Sequence, residues 1–261
     1  MTRIVNNCVA LVCLCLFWGQ SLRAADASHS EQIKWGNESV FNEEHNTLGL
    51  FSGVLGGQIV LAGGTSDDYS RWGRNAVCLS ENAGFALYED VLSKPLAYGA
   101  SITLSDGILC IGGRDSSQCY KDVFFVTMQQ GKLNVSEDWP PLPFPLSNAA
   151  GALLDNKVYL FGGRKSVSPS RLSDSFFVLD LSNKSRGWKE LPGYPGCVRE
   201  DAILVVQNNG VSPCLYLLGG QTETEEGLSS CLTDGYVYNP QLGKWSSLGS
   251  DFPKGICAAV A

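Results

Sequence analysis

Five side chains stand where residue type and spacing could do chemistry. Thr65, Arg114, Arg164 and Gln221 each follow directly on a double glycine, and Arg199 opens the run Arg199-Glu200-Asp201. A guanidinium presents a planar fork that binds a carboxylate bidentately. Two arginines among four equivalent positions therefore suit a small acidic ligand, and a solvated loop charge fits them equally well. A surface ion pair fits Arg199-Glu200-Asp201 at least as well as a ligand contact does, and Glu223-Thr-Glu-Glu226 reads as a solvated charge run. All five are candidate substrate contacts, and the residues themselves single out no catalytic group. Histidine is confined to His29 and His45, near the N-terminus, so most imidazole-based metal or triad chemistry drops out.

The rest of the composition narrows the class. The 261 residues carry a net charge of −7 with no run of Lys or Arg, whereas a nucleic-acid binder needs a basic footprint. Charged residues are only 17% and glycine is 29 of 261, too apolar for disorder and too rich in glycine for a helical bundle. Arg3 precedes the apolar run 9–18, and small residues follow up to Ala27. That is the pattern of a secretory signal peptide, residues 1–27, and it implies a protein exported to the periplasm or secreted. The run falls short of the ~20 apolar residues of a membrane anchor, so no membrane association is expected after cleavage. Of ten cysteines, seven lie beyond the leader: Cys78, Cys110, Cys119, Cys197, Cys214, Cys231 and Cys257. Cys110 and Cys214 sit in apolar runs, where a free thiol behaves as a small hydrophobe. A chain of this length does not need staples, so buried thiols are expected in preference to a disulfide framework.

The elements that position the candidate residues come from a repeat. Four apolar runs end in a double glycine: Gly63-Gly64, Gly112-Gly113, Gly162-Gly163 and Gly219-Gly220, with periods of 49, 50 and 57 residues. Trp139, Trp188 and Trp245 follow the last three at offsets of 26, 25 and 25. Between glycine and tryptophan lies a strand with a leading Asp: Asp122, Asp174 or Asp234. Before each double glycine lies a strand of small residues, as in Asn148-Ala-Ala-Gly-Ala. Each unit reads as four short strands separated by turn residues, with the tryptophan in the fourth. A period near 50, a closing double glycine and that tryptophan are the kelch-repeat pattern, so an all-β, kelch-repeat β-propeller is predicted. The double glycine lets the backbone turn where a Cβ would clash, and tryptophan supplies an apolar plate to the blade contact. Copper oxidase chemistry on this repeat draws on imidazole ligands, and the blades contain no His.

Blades are expected at 50–96, 97–146, 147–196 and 197–254 within a propeller of residues 28–261. In the first blade Tyr88, 24 residues after Gly64, replaces tryptophan. Trp35, in 28–49, resembles the outer strand of a closing blade, and 255–261 reads as the start of a fifth. The expectation is four full blades plus fragments, an apparently truncated ring whose uncovered blade faces invite self-association. Asn37, Asn134 and Asn183 each begin a glycosylation sequon.

The wording of the repeats resembles a known family. Leu61-Ala-Gly-Gly-Thr65, Lys94-Pro-Leu-Ala-Tyr-Gly-Ala-Ser101 and Asp106-Gly-Ile-Leu-Cys-Ile-Gly-Gly113 look like the cyclically permuted branch of the N-acetylneuraminate epimerases, or sialic acid mutarotases. The resemblance runs from about Trp35 to Ala261. Ser66-Asp67-Asp68-Tyr69 departs from it, since members often carry an Asn-Phe-Pro-like stretch there. The resemblance implies a six-bladed propeller, an isomerase interconverting the α and β anomers of N-acetylneuraminate, and no metal or redox cofactor. It also implies a catalytic glutamate directly after the double glycine of the last blade, which has no counterpart in the four blades read here. No residue of this chain is assigned that role, and the chain by itself is expected not to accelerate mutarotation. The alternative reading is a non-catalytic kelch module that binds a glycan or protein partner.

Overall fold

The computed structural model describes residues 48–80, 84–223 and 228–257. The leader residues 1–27, both histidines, Trp35 and Asn37 lie outside the described residues, as do 258–261. Four antiparallel four-stranded sheets follow one another along the chain. The first comprises β1 (Leu48–Leu55), β2 (Gln58–Thr65), β3 (Ala76–Ser80) and β4 (Gly84–Tyr88). The second comprises β5 (Ala100–Thr103), β6 (Ile108–Ile111), β7 (Val123–Gln129) and β8 (Lys132–Ser136). In the third, β9 (Ala150–Leu154) and β10 (Lys157–Phe161) are followed by a small hairpin, β11 (Arg164–Ser166) and β12 (Arg171–Leu172). The sheet then resumes with β13 (Phe176–Asp180) and β14 (Lys189–Glu190). The fourth repeats that plan: β15 (Ile203–Asn208), β16 (Pro213–Leu218), a hairpin of β17 (Gln221–Glu223) and β18 (Ser229–Cys231), then β19 (Gly235–Asn239) and β20 (Lys244–Ser247). The arrangement is the predicted β-propeller. The first strands of successive blades lie against one another, β1 on β5, β5 on β9 and β9 on β15, which puts them at the centre.

Strand alternation explains why the middle strands read as continuous apolar runs. Successive side chains point to opposite faces, and both faces of an inner blade are covered. Ile108 and Cys110 of β6 pack toward Phe51 and Val60 of the first blade. Leu109 and Ile111 pack toward Val158 and Leu160 of the third. Tyr159 and Phe161 of β10 then face Leu215, Leu217 and Tyr238 of the fourth. Each interface is thus filled from two neighbouring sheets, and the three clusters of buried residues lie between blades.

The double glycines lie where this geometry is tightest. All eight have φ between +56° and +104°, the left-handed region that favours glycine. The second glycine donates its N–H to the chain segment entering the next blade: Gly64 to Leu96 O (2.9 Å), Gly113 to Leu146 O (2.8 Å), Gly163 to Arg199 O (2.8 Å) and Gly220 to Ile256 O (2.7 Å). A Cβ on the first glycine would collide with the same carbonyl, at 2.2 Å from Leu146 O for Gly112.

Two expectations need correction. Only Trp245 lies within a fourth strand; Trp139 follows β8 and Trp188 precedes β14. The indoles still serve blade contacts, since Trp188 Nε1 donates to Pro140 O of the preceding blade (3.0 Å). Trp245 packs on Phe161 and Phe176 of the third blade at 5.9 and 5.0 Å between ring centroids. The cysteines divide. Cys78, Cys110, Cys119 and Cys214 are buried free thiols and Cys197 is exposed, but Cys231 and Cys257 form a disulfide. The cause is local: Ile256 N–H donates to Leu232 O (3.0 Å), which brings Cys257 alongside Cys231.

Candidate functional site

At the central end of the blades the repeat places a residue with unusual backbone. Gly49, Tyr98, Asn148 and Asp201 occupy equivalent positions ahead of β5, β9 and β15 and at the start of β1, all with positive φ (65°, 60°, 54° and 52°). They are joined in series: Tyr98 N–H donates to Gly49 O (2.7 Å), Asn148 N–H to Tyr98 O (2.7 Å), and Asp201 N–H to Asn148 O (3.0 Å). Asn and Asp tolerate this conformation, whereas a bulky residue such as Tyr seldom adopts it. The residue just before each of the last three is locked reciprocally, backbone to backbone, with a post-glycine residue. Ala97 pairs with Arg114, Ser147 with Arg164, and Glu200 with Gln221. The candidate side chains therefore spring from points fixed by the ring.

Arg114 faces three aromatic rings. Its guanidinium carbon lies 4.6 Å from the Tyr98 centroid, 5.1 Å from Trp72 and 6.0 Å from Tyr69. Trp72 Nε1 donates to Tyr69 O (3.1 Å), and the Tyr69 and Tyr98 hydroxyls meet at 3.5 Å. Among the described residues Arg114 forms no ion pair with a carboxylate; its Nη1 reaches only the Asp115 carbonyl, at 3.5 Å. The loop carrying Tyr69 and Trp72 is ordered by Asp68, whose Oδ1 accepts from Ser66 Oγ (2.6 Å), Ser70 N (3.0 Å) and Ser70 Oγ (2.8 Å). The Ser66 hydroxyl, foremost, and the two Ser70 bonds hold the Asp68 carboxyl down at about 2.

Arg164 is engaged differently. Its Nε donates to Glu200 Oε2 (2.9 Å), its Nη2 to Glu200 Oε1 and to Glu223 Oε1 (3.1 Å), and its Nη1 to Ser170 Oγ. Gln221 Nε2 donates to Asp201 Oδ2 (2.9 Å) and Glu200 Oε1 (3.3 Å), while Asn148 Nδ2 donates to Asp201 Oδ1 (2.9 Å). Burial, the largest influence, pushes the Asp201 carboxyl above its usual range, and Glu200 acts in the same direction. The Asn148 and Gln221 bonds and Arg164 act against them.

The five candidates thus have three fates. Arg114 and Gln221 are partly exposed at the central end. Arg164 is there too, but protein carboxylates already hold its fork, so the two arginines do not stand open together for one ligand carboxylate. Thr65 and Arg199 are buried inside the blades. Thr65 Oγ1 donates to Arg71 O (2.7 Å), and Arg199 pairs with Asp234 rather than forming a surface ion pair. Sequence reading missed Tyr69, Trp72, Tyr98, Asn148 and Asp201 as site residues. A signal existed for the ring: in repeat register Gly49, Asn148 and Asp201 are residue types that tolerate positive φ.

Comparison with known proteins finds sequence similarity in the second half of the chain. Residues 139–261 match the family model of the N-acetylneuraminate epimerases. The N-acetylneuraminate epimerase of Yersinia pestis (strain Pestoides F) is 30% identical over 128 residues, covering 48% of this chain and 30% of that protein. The same-named protein of Haemophilus influenzae (strain PittEE) is 31% identical over 121 residues, 46% of this chain and 29% of its own. A Kelch domain-containing protein of Vibrio cholerae is 31% identical over 121 residues, 46% of this chain and 31% of its own. The match spans under a third of the length of these relatives. The solved structure of YjhT superposes with a TM-score of 0.65 at 14% identity, over 81% of this chain and 73% of that one, and so shares the fold. The resemblance read from the sequence stands, although the family match falls on residues 139–261 rather than on the stretch 61–113 where the wording was noticed.

Proposed function

We propose, from the premise that residues 139–261 match the N-acetylneuraminate epimerases, that this protein binds N-acetylneuraminate at its central loop end, on the scaffold of an isomerase that interconverts the α and β anomers of the sugar. One observation carries the reading: Arg114 is a guanidinium without a carboxylate partner among the described residues, stacked on Tyr98 and Trp72. Stacking fixes its plane, so less freedom is lost when the fork takes the sugar's carboxylate bidentately. The rings around it offer apolar faces to the sugar's C–H surface, with the Tyr69 and Tyr98 hydroxyls beside its polar groups. Mutarotation opens and recloses a hemiketal ring, which needs a proton donor and acceptor near the ring oxygen and the anomeric hydroxyl. The leader pattern of residues 1–27 supports export to a compartment where the free sugar is met.

The test is saturation-transfer NMR with N-acetylneuraminate, followed by exchange spectroscopy between the anomer signals. Binding that is lost in Arg114→Gln is the expected result, and faster exchange in the wild-type protein would show that these blades also supply the proton-transferring group. Binding with no gain in exchange rate would leave the non-catalytic glycan-binding module as the reading. No binding at all would remove both.

A further inference from the structure

We infer that Tyr98 is the positioning residue that presents the open guanidinium of Arg114 to the ligand, and that Tyr69 and Tyr98 are held in a strained backbone conformation to build that cluster. The inference rests on the binding reading above and adds to it the residue on which affinity depends.

Backbone strain marks the two tyrosines. Among the described residues eight non-glycine positions have positive φ, and six of them are Asp, Asn or Gln. The other two are Tyr69 and Tyr98, both at +60°. A bulky residue there is an outlier, and such strain persists where the surroundings fix it, clustering at functional sites. Both tyrosines are pinned on either side. Tyr69 N–H donates to Ser66 O (2.9 Å), and its carbonyl accepts from Trp72 Nε1 (3.1 Å). Tyr98 N–H donates to Gly49 O (2.7 Å), and its carbonyl accepts from Asn148 N–H (2.7 Å). The two residues are 29 positions apart, yet their hydroxyls meet at 3.5 Å and both rings face Arg114. Room is also kept for the Tyr98 ring, since a Cβ on Gly49 would stand 2.9 Å from Tyr98 Cδ1.

The next blade supplies an internal comparison. Arg164 and Asn148 occupy there the positions of Arg114 and Tyr98. In both blades the arginine is paired, backbone to backbone, with the residue just before the second position: Ala97 with Arg114 and Ser147 with Arg164. The fork of Arg164 is closed by the carboxylate of Glu200, at the entry to the fourth blade. The residue in the place of Glu200 for Arg114 is Ser147, which carries no charge. With no acid there, the Tyr98 ring, 4.6 Å from the guanidinium carbon, holds the arginine instead. A carboxylate fills the N–H edge that it holds. A ring attracts the cation through its face and leaves that edge to a ligand. Asparagine at 98 would ease the backbone as it does at 148, where φ is 54°, and would remove the ring that holds Arg114.

The experiment compares wild type, Tyr98→Phe and Tyr98→Asn in the full chain. It reads the melting temperature, the affinity for N-acetylneuraminate by NMR titration, and the NMR relaxation of the Arg114 side-chain N–H, identified by its loss in Arg114→Gln. Tyr98→Asn is expected to melt no more than about 4 °C below wild type, because the easier backbone offsets the lost ring contacts. Its affinity should fall roughly 3- to 30-fold, and its Arg114 side chain should become mobile. Tyr98→Phe keeps the ring, so it should keep Arg114 restrained and lose less affinity than Tyr98→Asn. An Asn variant that fails to fold, or melts further below wild type, makes Tyr98 a packing residue and overturns the proposal. Unaltered affinity in that variant overturns it too, as does an Arg114 side chain equally restrained in all three proteins. Each of these outcomes leaves wild-type binding, and with it the underlying reading, intact. A wild-type protein that binds no sugar overturns both.

Discussion

Arg199 and Asp234 are joined by two parallel hydrogen bonds of 2.7 Å, Nη1 to Oδ1 and Nη2 to Oδ2. The same guanidinium donates to Gly219 O (2.7 Å) and to the Tyr194 hydroxyl (2.8 Å), and it lies over the rings of Tyr194 and Tyr236. Its backbone carbonyl meanwhile accepts from Gly163 (2.8 Å). One residue thus ties the double glycine of the third blade to that of the fourth.

Breaking this clasp should cost far more than breaking an exposed pair. Arg199 is 0% exposed while Asp234 is 28%, so Asp234→Leu strands a wholly buried charge, at about 3–5 kcal/mol. Lys94 and Asp122 also pair at 2.6 Å, but they are 39% and 44% exposed, and Lys94→Met should cost no more than about 1 kcal/mol. Denaturant unfolding of both variants checks the contrast. Similar losses would mean that burial does not set the strength of the Arg199 pair.

The glycine argument can be tested by comparing two alanines. Gly131 has φ +73° with open space around a built Cβ, so Gly131→Ala carries only the backbone penalty, about 1–2 kcal/mol. Gly112 has φ +63° and its Cβ would stand 2.2 Å from Leu146 O. Gly112→Ala is therefore expected to lose that penalty plus the register of the Gly113–Leu146 hydrogen bond. Its melting temperature should fall well below that of Gly131→Ala. Equal melting points would show that the carbonyl moves aside at little cost.

Acid should weaken the fold through Asp234. Burial alone would raise its pKa, but the hydrogen bonds and charge of Arg199, with the Tyr236 hydroxyl, outweigh burial and hold it low. A carboxyl depressed in the folded state stabilises above its unfolded value, about 3.9, and that contribution is lost as pH falls through the folded value. Asp201 has the opposite sign, because its raised pKa favours the folded protein when it is protonated. Unfolding free energies measured from neutral pH downward should show a loss below about pH 4 that is reduced in Arg199→Met. An identical acid slope in that variant would contradict the assignment.

How much of this was legible in the sequence depends on whether the signal repeats. The strands, the double glycines and the blade order recur four times and could be aligned against themselves. Asp234 was visible as the leading residue of its strand, though not as a partner of Arg199, because the two are 35 residues apart and meet only when the blade forms. Arg199 had been weighed as a ligand contact or a surface charge; burial gave it a third role. Trp72 and Tyr69 lie on the loop after the double glycine, and the residues bridged at the position of Trp72 in the other blades are Cys119, Leu172 and Cys231, so no shared residue type could mark them. Asn148 and Asp201 carried a conformational signal, positive φ in residue types that allow it, which composition and hydrophobic period do not report.

The aromatic shelf under Arg114 should matter to binding more than to folding. Trp72 lies 5.1 Å from the guanidinium carbon and is partly exposed. Cation–π contacts at such sites contribute about 0.5–2 kcal/mol. Trp72→Leu frees the guanidinium, and affinity for N-acetylneuraminate is expected to fall roughly 3- to 30-fold with little change in melting temperature. Titration followed by NMR alongside a thermal melt checks both halves. An unaltered affinity would place the sugar elsewhere.

Reduction should loosen the end of the fourth blade selectively. Cys231 and Cys257 are 26 residues apart in sequence, and closing a loop of that length removes about 3.5 kcal/mol of unfolded-state freedom by the chain-entropy account. The bridge also holds Ile256, which accepts from Gly220 N–H (2.7 Å) and donates to Leu232 O (3.0 Å). Cys257→Ser is therefore expected to lower stability by up to about 3.5 kcal/mol. Amide exchange should accelerate at Gly220 and Ile256 before it does at Gly64 or Gly113, whose equivalent bonds have no disulfide beside them. The cluster of Arg114 with Tyr69, Trp72 and Tyr98, assembled from the first two blades, should keep its ligand affinity under the same reducing conditions. Hydrogen exchange with and without reductant reads both regions in one sample. Uniform acceleration over all four double glycines would mean that the bridge stabilises the whole propeller rather than its fourth blade.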